Sequence, residues 1–160
     1  MKDVKTNALR MLDKKKIHYE VKCYEYVSTH RSAEHILPAV GVDVDAIYKT
    51  LVLQGNNGYL VCCIPILAEI DLKKLAKASG NKKVEMVAQK DLLNITGYIR
   101  GGCSPVGMKK VFPTYFQEDI LLQDKVSVSA GKQGLQVVLD PQDLISTVNG
   151  KLVDVMRLIE

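Results

Sequence analysis

The chain has 160 residues, of which 47% are hydrophobic and 25% charged, a balance typical of a folded globular protein that needs no disulfide framework. Its 22 basic and 18 acidic residues give a net charge of +4, which permits contact with a polyanion but is weaker than in dedicated duplex binders. The apolar run 60–67 is far shorter than the ~20 residues of a membrane helix. Residues 1–5 lead into a charged helix rather than an apolar signal core, so we expect one cytoplasmic domain spanning 1–160.

Hydrophobic periodicity and turn residues predict short helices and strands along the whole chain. The predicted helices lie at 7–16, 33–40, 72–79, 89–93 and 141–149, and the predicted strands at 19–26, 47–54, 59–65, 83–87, 111–116, 125–129 and 135–139. Four helices have capping residues, which are Thr6, Ser32, Asp71 and Asp140. Pro38 lies inside the second helix and should kink or shorten it. This pattern predicts an α+β fold with a mixed, mostly antiparallel, barrel-like sheet and short surrounding helices.

Lys49 stands out because it lies on an apolar strand face. Alternation along 47–53 places it beside Ile47, Leu51 and Leu53. Burying an unpaired ammonium is costly, so one interpretation is a snorkelling lysine with its head group in water. The other is a cationic head group held in a cavity lined by that sheet face. Periodicity leaves both interpretations open.

The segment 97–107 contains four glycines and a proline, which predicts a loop whose backbone approaches another group closely. Gly101 and Gly102 could present two successive backbone N–H groups to a phosphate or a developing oxyanion, or they could form a simple tight turn. Ser104 superficially suggests a nucleophile elbow, but the glycine spacing is one residue too long and a proline follows it. We therefore reject a serine hydrolase triad, and we expect Cys103 to be an inert thiol because no base lies near it in the sequence.

The four cysteines offer no metal-binding pattern. Cys62 and Cys63 are adjacent, so on a strand they face opposite sides and cannot ligate one tetrahedral ion. The chain has no Cys-x-x-Cys, and its three histidines form no i, i+4 pair. We expect no metal and no cofactor, and four buried or half-buried thiols in a reducing compartment.

Three further polar side chains could line a pocket or merely face solvent. Ser127 and Ser129 share one face of their predicted strand. Tyr24 lies on the more polar face of the early strand, where a phenol could bond or stack with a ligand or cover the sheet edge. The residues by themselves leave these alternatives open.

Several segments together resemble the YbaK/ProX (EbsC-like) family of trans-editing proteins. They are 5–8, 48–52, 73–86, 96–110 and 128–135, so the resemblance covers almost the whole chain. Its most specific part is Gly-Tyr-x-x-Gly-Gly-x-Ser-Pro at 97–105 combined with Lys-Thr-Leu at 49–51. The resemblance implies an α+β fold with one pocket, and hydrolysis of cysteine mischarged onto the proline tRNA alongside prolyl-tRNA synthetase.

The resemblance also implies roles for individual residues. Lys49 corresponds to the family's key pocket lysine, Gly101 and Gly102 supply backbone at the reacting group, and the other substrate-binding positions are Tyr24, Ser104 and Ser129. The substrate's own thiol would attack its ester carbonyl, so the protein would supply orientation and charge stabilisation rather than a nucleophile. The protein would bind only the acceptor end of the mischarged tRNA.

Two other functions stay open at this point. The protein could be a deacylase for a tRNA mischarged with alanine or serine, or a non-catalytic module that binds tRNA ends or nucleotides. Pro38 departs from the family pattern, in which this helix is usually uninterrupted. His30 and Arg31 could contact nucleic acid or belong to the helix cap, and His30 and His35 have no role that the sequence assigns.

Overall fold

The computed structural model of this chain describes residues 5–27 and 32–157 and confirms the α+β class. Most predicted elements are present, with ends shifted by a few residues. In chain order the elements are α1 (Asn7–Lys14), β1 (Tyr19–Cys23), α2 (Ser32–Val40), β2 (Tyr48–Gly55), β3 (Gly58–Pro65), β4 (Glu69–Ile70), α3 (Leu72–Ser79), β5 (Val84–Met86), α4 (Leu92–Thr96), β6 (Thr114–Gln117), β7 (Val126–Lys132), β8 (Leu135–Leu139), α5 (Pro141–Thr147), β9 (Lys151–Val153) and β10 (Met156–Arg157). Short 3₁₀ turns occupy Val44–Ala46, Gln89–Asp91 and Glu118–Leu122. The strands β4, β9 and β10 were not predicted, because two or three residues carry no detectable alternation.

Three predicted helix caps are confirmed. The side chains of Thr6 and Asp140 accept hydrogen bonds from backbone amides in the first turns of α1 and α5, at 3.2 and 2.8 Å. Asp71 accepts two such bonds at the start of α3, each 3.1 Å long. Pro38 does not shorten α2, which runs to Val40 as the following glycine predicts. The Ser32 side chain and residues 28–31, with His30 and Arg31, lie outside the described part of the chain.

The described strands form three mixed or antiparallel sheets, in line with the expected mixed, mostly antiparallel arrangement, and they do not close into a barrel. A five-stranded mixed sheet has the order β5-β2-β3-β6-β9, a three-stranded antiparallel sheet has the order β1-β8-β7, and β4 pairs with β10. The pairs β3–β6 and β6–β9 are parallel. One parallel bridge between Ile47 and Ser127 links the two larger sheets, so they meet at a seam instead of closing a barrel.

The described residues form three apolar clusters, and strand alternation places the two larger ones on either side of β2 and β3. Val52 and Cys63 face the larger of these two, whereas Leu53 and Cys62 face the smaller. The prediction that the adjacent cysteines face opposite sides is therefore confirmed. Cys23 corrects the expectation of four buried or half-buried thiols: it is exposed, because β1 is the edge strand of its sheet and that face is uncovered.

Tyr48 provides a stability test of this core. Its side chain is only 2% exposed, and its hydroxyl has no hydrogen-bond partner within the described residues. An unpaired buried hydroxyl is a net cost, so Tyr48→Phe is expected to raise the free energy of unfolding by about 1 kcal/mol in chemical denaturation. Tyr98→Phe is the matched control, because the Tyr98 hydroxyl donates to the Val106 carbonyl at 2.7 Å, and it should lower that free energy. Equal decreases of the free energy of unfolding in Tyr48→Phe and Tyr98→Phe would contradict the prediction.

Candidate functional site

A cavity of about 500 Å³ opens beside the incompletely paired edge of β2. The hairpin partner β3 covers one edge of β2 along its whole length. On the other edge β5 pairs only with residues 53–55. The stretch 48–52 therefore lines the cavity, whose volume suits a small ligand or the end of a larger one.

The structure brings four of the six predicted site residues to this cavity. Tyr24, Lys49, Gly101 and Ser129 line it, although they come from four distant parts of the chain. Gly102 and Ser104 do not line it. His35, half-buried on α2, does not line it either.

Lys49 is half-buried and lines the cavity. The apolar strand face that carries it therefore borders a pocket and not an open surface. Burial lowers the pKa of its ammonium below the ordinary value, and the Glu69 carboxylate opposes that shift in part. A partly desolvated cation interacts more strongly with a nearby negative charge than a fully hydrated one does. Lys49 is therefore suited to stabilise an anionic group inside the cavity.

The two glycines of the loop have different surroundings. Gly101 has a φ of +85° and lines the cavity. Gly102 is buried, and its amide donates to the Ile99 carbonyl at 2.9 Å. A Cβ on Gly102 would lie 2.9 Å from the backbone nitrogen of Gln133, so the close approach expected of this loop is present. Of the two glycines predicted as backbone donors, only Gly101 lines the cavity, whereas the Gly102 amide is bonded within the loop.

Ser104 and Cys103 follow Gly102, and neither is an activated nucleophile. The Ser104 side chain is 0% exposed, and its hydroxyl accepts a hydrogen bond from the Val106 amide at 3.2 Å, which places it in a turn under the loop. It therefore does not occupy the substrate-binding position that we expected. Cys103 does line the cavity, but burial raises the pKa of its thiol to about 12. Its thiolate is scarce at neutral pH.

Gln136 is a site residue that sequence reasoning missed. It is 4% exposed, lines the cavity and pairs with Ser129 across the β7–β8 ladder. Its Oε1 accepts a hydrogen bond from the Ser127 hydroxyl at 2.6 Å, which leaves the amide N–H groups for other partners. The available signal was a polar residue inside the apolar strand 135–139, the same signal that singled out Lys49.

Tyr24 and Ser129 complete the polar lining. Burial raises the pKa of the Tyr24 hydroxyl, while hydrogen bonding with the Gln136 side chain and the Gly134 backbone opposes that rise. The Ser129 hydroxyl accepts a hydrogen bond from the Gly131 amide at 3.2 Å and keeps its own proton for donation. The residues that line the cavity thus include two cationic side chains, Lys49 and Arg100, the backbone of Gly101, and neutral polar side chains such as those of Tyr24, Ser129 and Gln136.

Among residues 5–27 and 32–157, no three histidine, cysteine, aspartate or glutamate side chains lie together as metal ligands would. None of the helices formed by these residues combines the length and the apolar character of a membrane span.

Comparison with known proteins identifies relatives of this chain and structures that share its fold. The family model of the aminoacyl-tRNA editing domain matches residues 28–147. The chain is 49% identical over 152 residues to a protein of Enterococcus faecalis named as a candidate Cys-tRNA(Pro)/Cys-tRNA(Cys) deacylase, EbsC, and the match covers 94% of this chain and 93% of that protein. It is 28% identical over 81 residues to a proline–tRNA ligase of Thermosipho melanesiensis, covering 51% of this chain and 14% of the ligase. A crystal structure described as a candidate trans-editing enzyme for prolyl tRNA synthetase matches with a TM-score of 0.82 and 23% identity, over 98% of this chain and 100% of that chain.

The chain therefore belongs to the aminoacyl-tRNA editing domain family. Within that family it groups with the YbaK/EbsC trans-editing proteins, as the resemblance of its motifs indicates.

Proposed function

We propose that this protein is an aminoacyl-tRNA deacylase that acts in trans on Cys-tRNA(Pro) and hydrolyses the ester between cysteine and the tRNA. The observation that carries the proposal is the cavity beside β2, where Lys49 and Gly101 lie together in a chain of the editing-domain family. The 49% identity to the E. faecalis protein, over nearly the full length of both chains, supports cysteine as the amino acid removed.

In the proposed reaction the nucleophile belongs to the substrate. The cysteine sulfur attacks its own ester carbonyl carbon, a carbon–sulfur bond forms, and the carbonyl oxygen becomes an oxyanion. Collapse of this intermediate breaks the carbon–oxygen ester bond, and the proton lost by the thiol passes to the leaving ribose oxygen. Water then opens the resulting thiolactone to free cysteine.

The protein's contribution in this reaction is orientation and electrostatic stabilisation. The Gly101 amide donates to the developing oxyanion, and the partly desolvated Lys49 ammonium stabilises the same charge. Tyr24, Ser129 and Gln136 orient the aminoacyl group. The neutral thiol of Cys103, with its raised pKa, takes no chemical part.

The tRNA and prolyl-tRNA synthetase are the proposed partners. The match to part of proline–tRNA ligase supports a role beside that enzyme, and the modest charge of +4 suits a protein that grips only the acceptor end. Binding of the remainder of the tRNA would then be left to the synthetase.

A panel of proline tRNAs charged with cysteine, alanine or serine tests this function. Release of the amino acid is measured with and without the protein, and we expect rapid release of cysteine alone. Release of alanine or serine at a comparable rate would contradict substrate thiol assistance and favour a deacylase of other specificity. Absence of release, with retained tRNA binding, would favour a non-catalytic module.

Cys103→Ser tests which thiol is the nucleophile. If the substrate sulfur attacks, the variant should keep its deacylation rate on Cys-tRNA(Pro) within about twofold, because the Cys103 thiol is protonated at neutral pH. Single-turnover deacylation and a thermal melt measure activity and folding together. A folded variant that has lost the activity would point to a nucleophile supplied by the protein.

A further inference from the structure

Arg100 lies at the exposed rim of the cavity and is fixed at two places. Its guanidinium Nη1 donates to Gln89 Oε1 at 3.1 Å, and both side chains line the cavity. Its backbone carbonyl accepts a hydrogen bond from Gln133 Nε2 at 2.8 Å. Two glutamines thus orient an arginine whose chain neighbour is Gly101.

No carboxylate among residues 5–27 and 32–157 forms a salt bridge with this guanidinium. The contact with Gln89 is to a neutral amide. Gln89 accepts from one N–H group of the Arg100 guanidinium, which leaves its other N–H groups for a ligand. The planar guanidinium matches the geometry of a phosphate or carboxylate, which it binds through two parallel hydrogen bonds.

The chemistry of the substrate indicates which anion would meet Arg100. An amino acid esterified to tRNA has no free carboxylate, so the nearest anion is the phosphate on the other side of the terminal ribose. In the proposed function, the half-buried Lys49 and the cavity-lining Gly101 stabilise the reacting ester inside the cavity. Arg100, the chain neighbour of Gly101, is exposed at the rim of the cavity. This arrangement separates the charge that stabilises the reaction from the charge that holds the nucleotide.

We propose that Arg100, positioned by Gln89, binds the 5′-phosphate of the terminal adenosine of the charged tRNA. This inference rests on the proposed deacylase function. Gln89 is a positioning residue, because it contacts the guanidinium and not the phosphate. The site makes the enzyme selective for aminoacyl nucleotides over aminoacyl esters without a phosphate.

Two small substrates that differ only in the phosphate test the proposal. They are adenosine and adenosine 5′-monophosphate, each esterified with cysteine on the ribose. We expect the wild-type protein to favour the phosphorylated ester in kcat/KM by about 10- to 100-fold. In Arg100→Ala this ratio should fall to near one, in Arg100→Lys it should be partly restored, and in Gln89→Ala the loss should lie in KM rather than kcat.

Arg10→Ala is the matched control, because Arg10 is also exposed and its guanidinium also donates to a neutral amide, that of Asn7, at 3.0 Å. Arg10 lies on α1 and does not line the cavity, so the preference for the phosphorylated ester should be unchanged in this variant. An equal loss of preference in Arg10→Ala and Arg100→Ala would overturn the proposal.

Calorimetric binding of adenosine 5′-monophosphate and adenosine separates this proposal from the proposed function. A preference for the monophosphate that disappears in Arg100→Ala supports the phosphate site, even if neither ester is hydrolysed and the deacylase function fails. Equal binding of both compounds by the wild-type protein overturns the phosphate site, and hydrolysis of Cys-tRNA(Pro) would then still support the deacylase.

Discussion

Lys49→Ala is expected to lower kcat/KM for the deacylation of Cys-tRNA(Pro) by at least about 100-fold while the protein stays folded. Removal of one group that stabilises a developing oxyanion commonly lowers the rate by about 10²- to 10³-fold. Lys49 is a half-buried cation at the cavity, and its partial desolvation strengthens its interaction with that charge. Single-turnover deacylation measures the effect on chemistry apart from product release.

Measurements of stability distinguish a loss of activity in Lys49 variants from a loss of folded structure. Burial lowers the pKa of Lys49 below its ordinary value of 10.5, so the charged form is less favourable in the folded protein than in the unfolded chain. The charged Lys49 destabilises the folded protein fully at pH values below its folded-state pKa. The destabilisation disappears as the pH rises to the pKa of Lys49 in the unfolded chain. Lys49→Met is therefore expected to raise the urea midpoint at pH 7, with a gain that shrinks near pH 10.5.

Lys73→Ala provides the control for an exposed lysine, since Lys73 lies on α3 and does not line the cavity. It should leave the deacylation rate unchanged. Near-normal activity of Lys49→Ala would remove Lys49 from the mechanism. A melting temperature of Lys49→Met well below the wild-type value would contradict the argument from burial.

Gly101→Ala should also reduce deacylation by about 100-fold, because the backbone donor of the oxyanion would be displaced. Gly101 has a φ of +85°, and a Cβ there would lie 2.5 Å from the Tyr26 ring, which itself lines the cavity. Either the loop or the ring must shift, and both line the cavity in which we propose that the ester binds. The measurement is again single-turnover deacylation, combined with circular dichroism to verify the fold.

Gly41→Ala controls for backbone strain. Gly41 has a φ of +71°, but a Cβ there would meet no atom within 4 Å, and the residue does not line the cavity. Both variants carry the left-handed strain of a non-glycine residue, and only Gly101→Ala disturbs the cavity. Similar activities of the two variants would argue against a role for the Gly101 amide.

Local chemistry made much of the secondary structure predictable. Thr6, Asp71 and Asp140 cap the helices that follow them, and the turn at 55–58 joins the two strands of a hairpin. In each case the partners of a hydrogen bond lie a few residues apart in the chain. The unusual position of Lys49 was visible for the same reason, because alternation depends only on neighbours.

The amino-acid sequence by itself therefore determined the α+β class, most of the elements and the unusual position of Lys49 on an apolar strand face, since these depend on interactions over short stretches of chain. Only the tertiary structure decided the composition of the cavity, because that depends on how distant strands pair. The short β5 leaves part of the β2 edge open, and the β7–β8 ladder places Gln136 opposite Ser129. The Gly102 amide donates to the Ile99 carbonyl and only Gly101 lines the cavity, so the folding of the loop, and not residue type, distinguishes the two glycines.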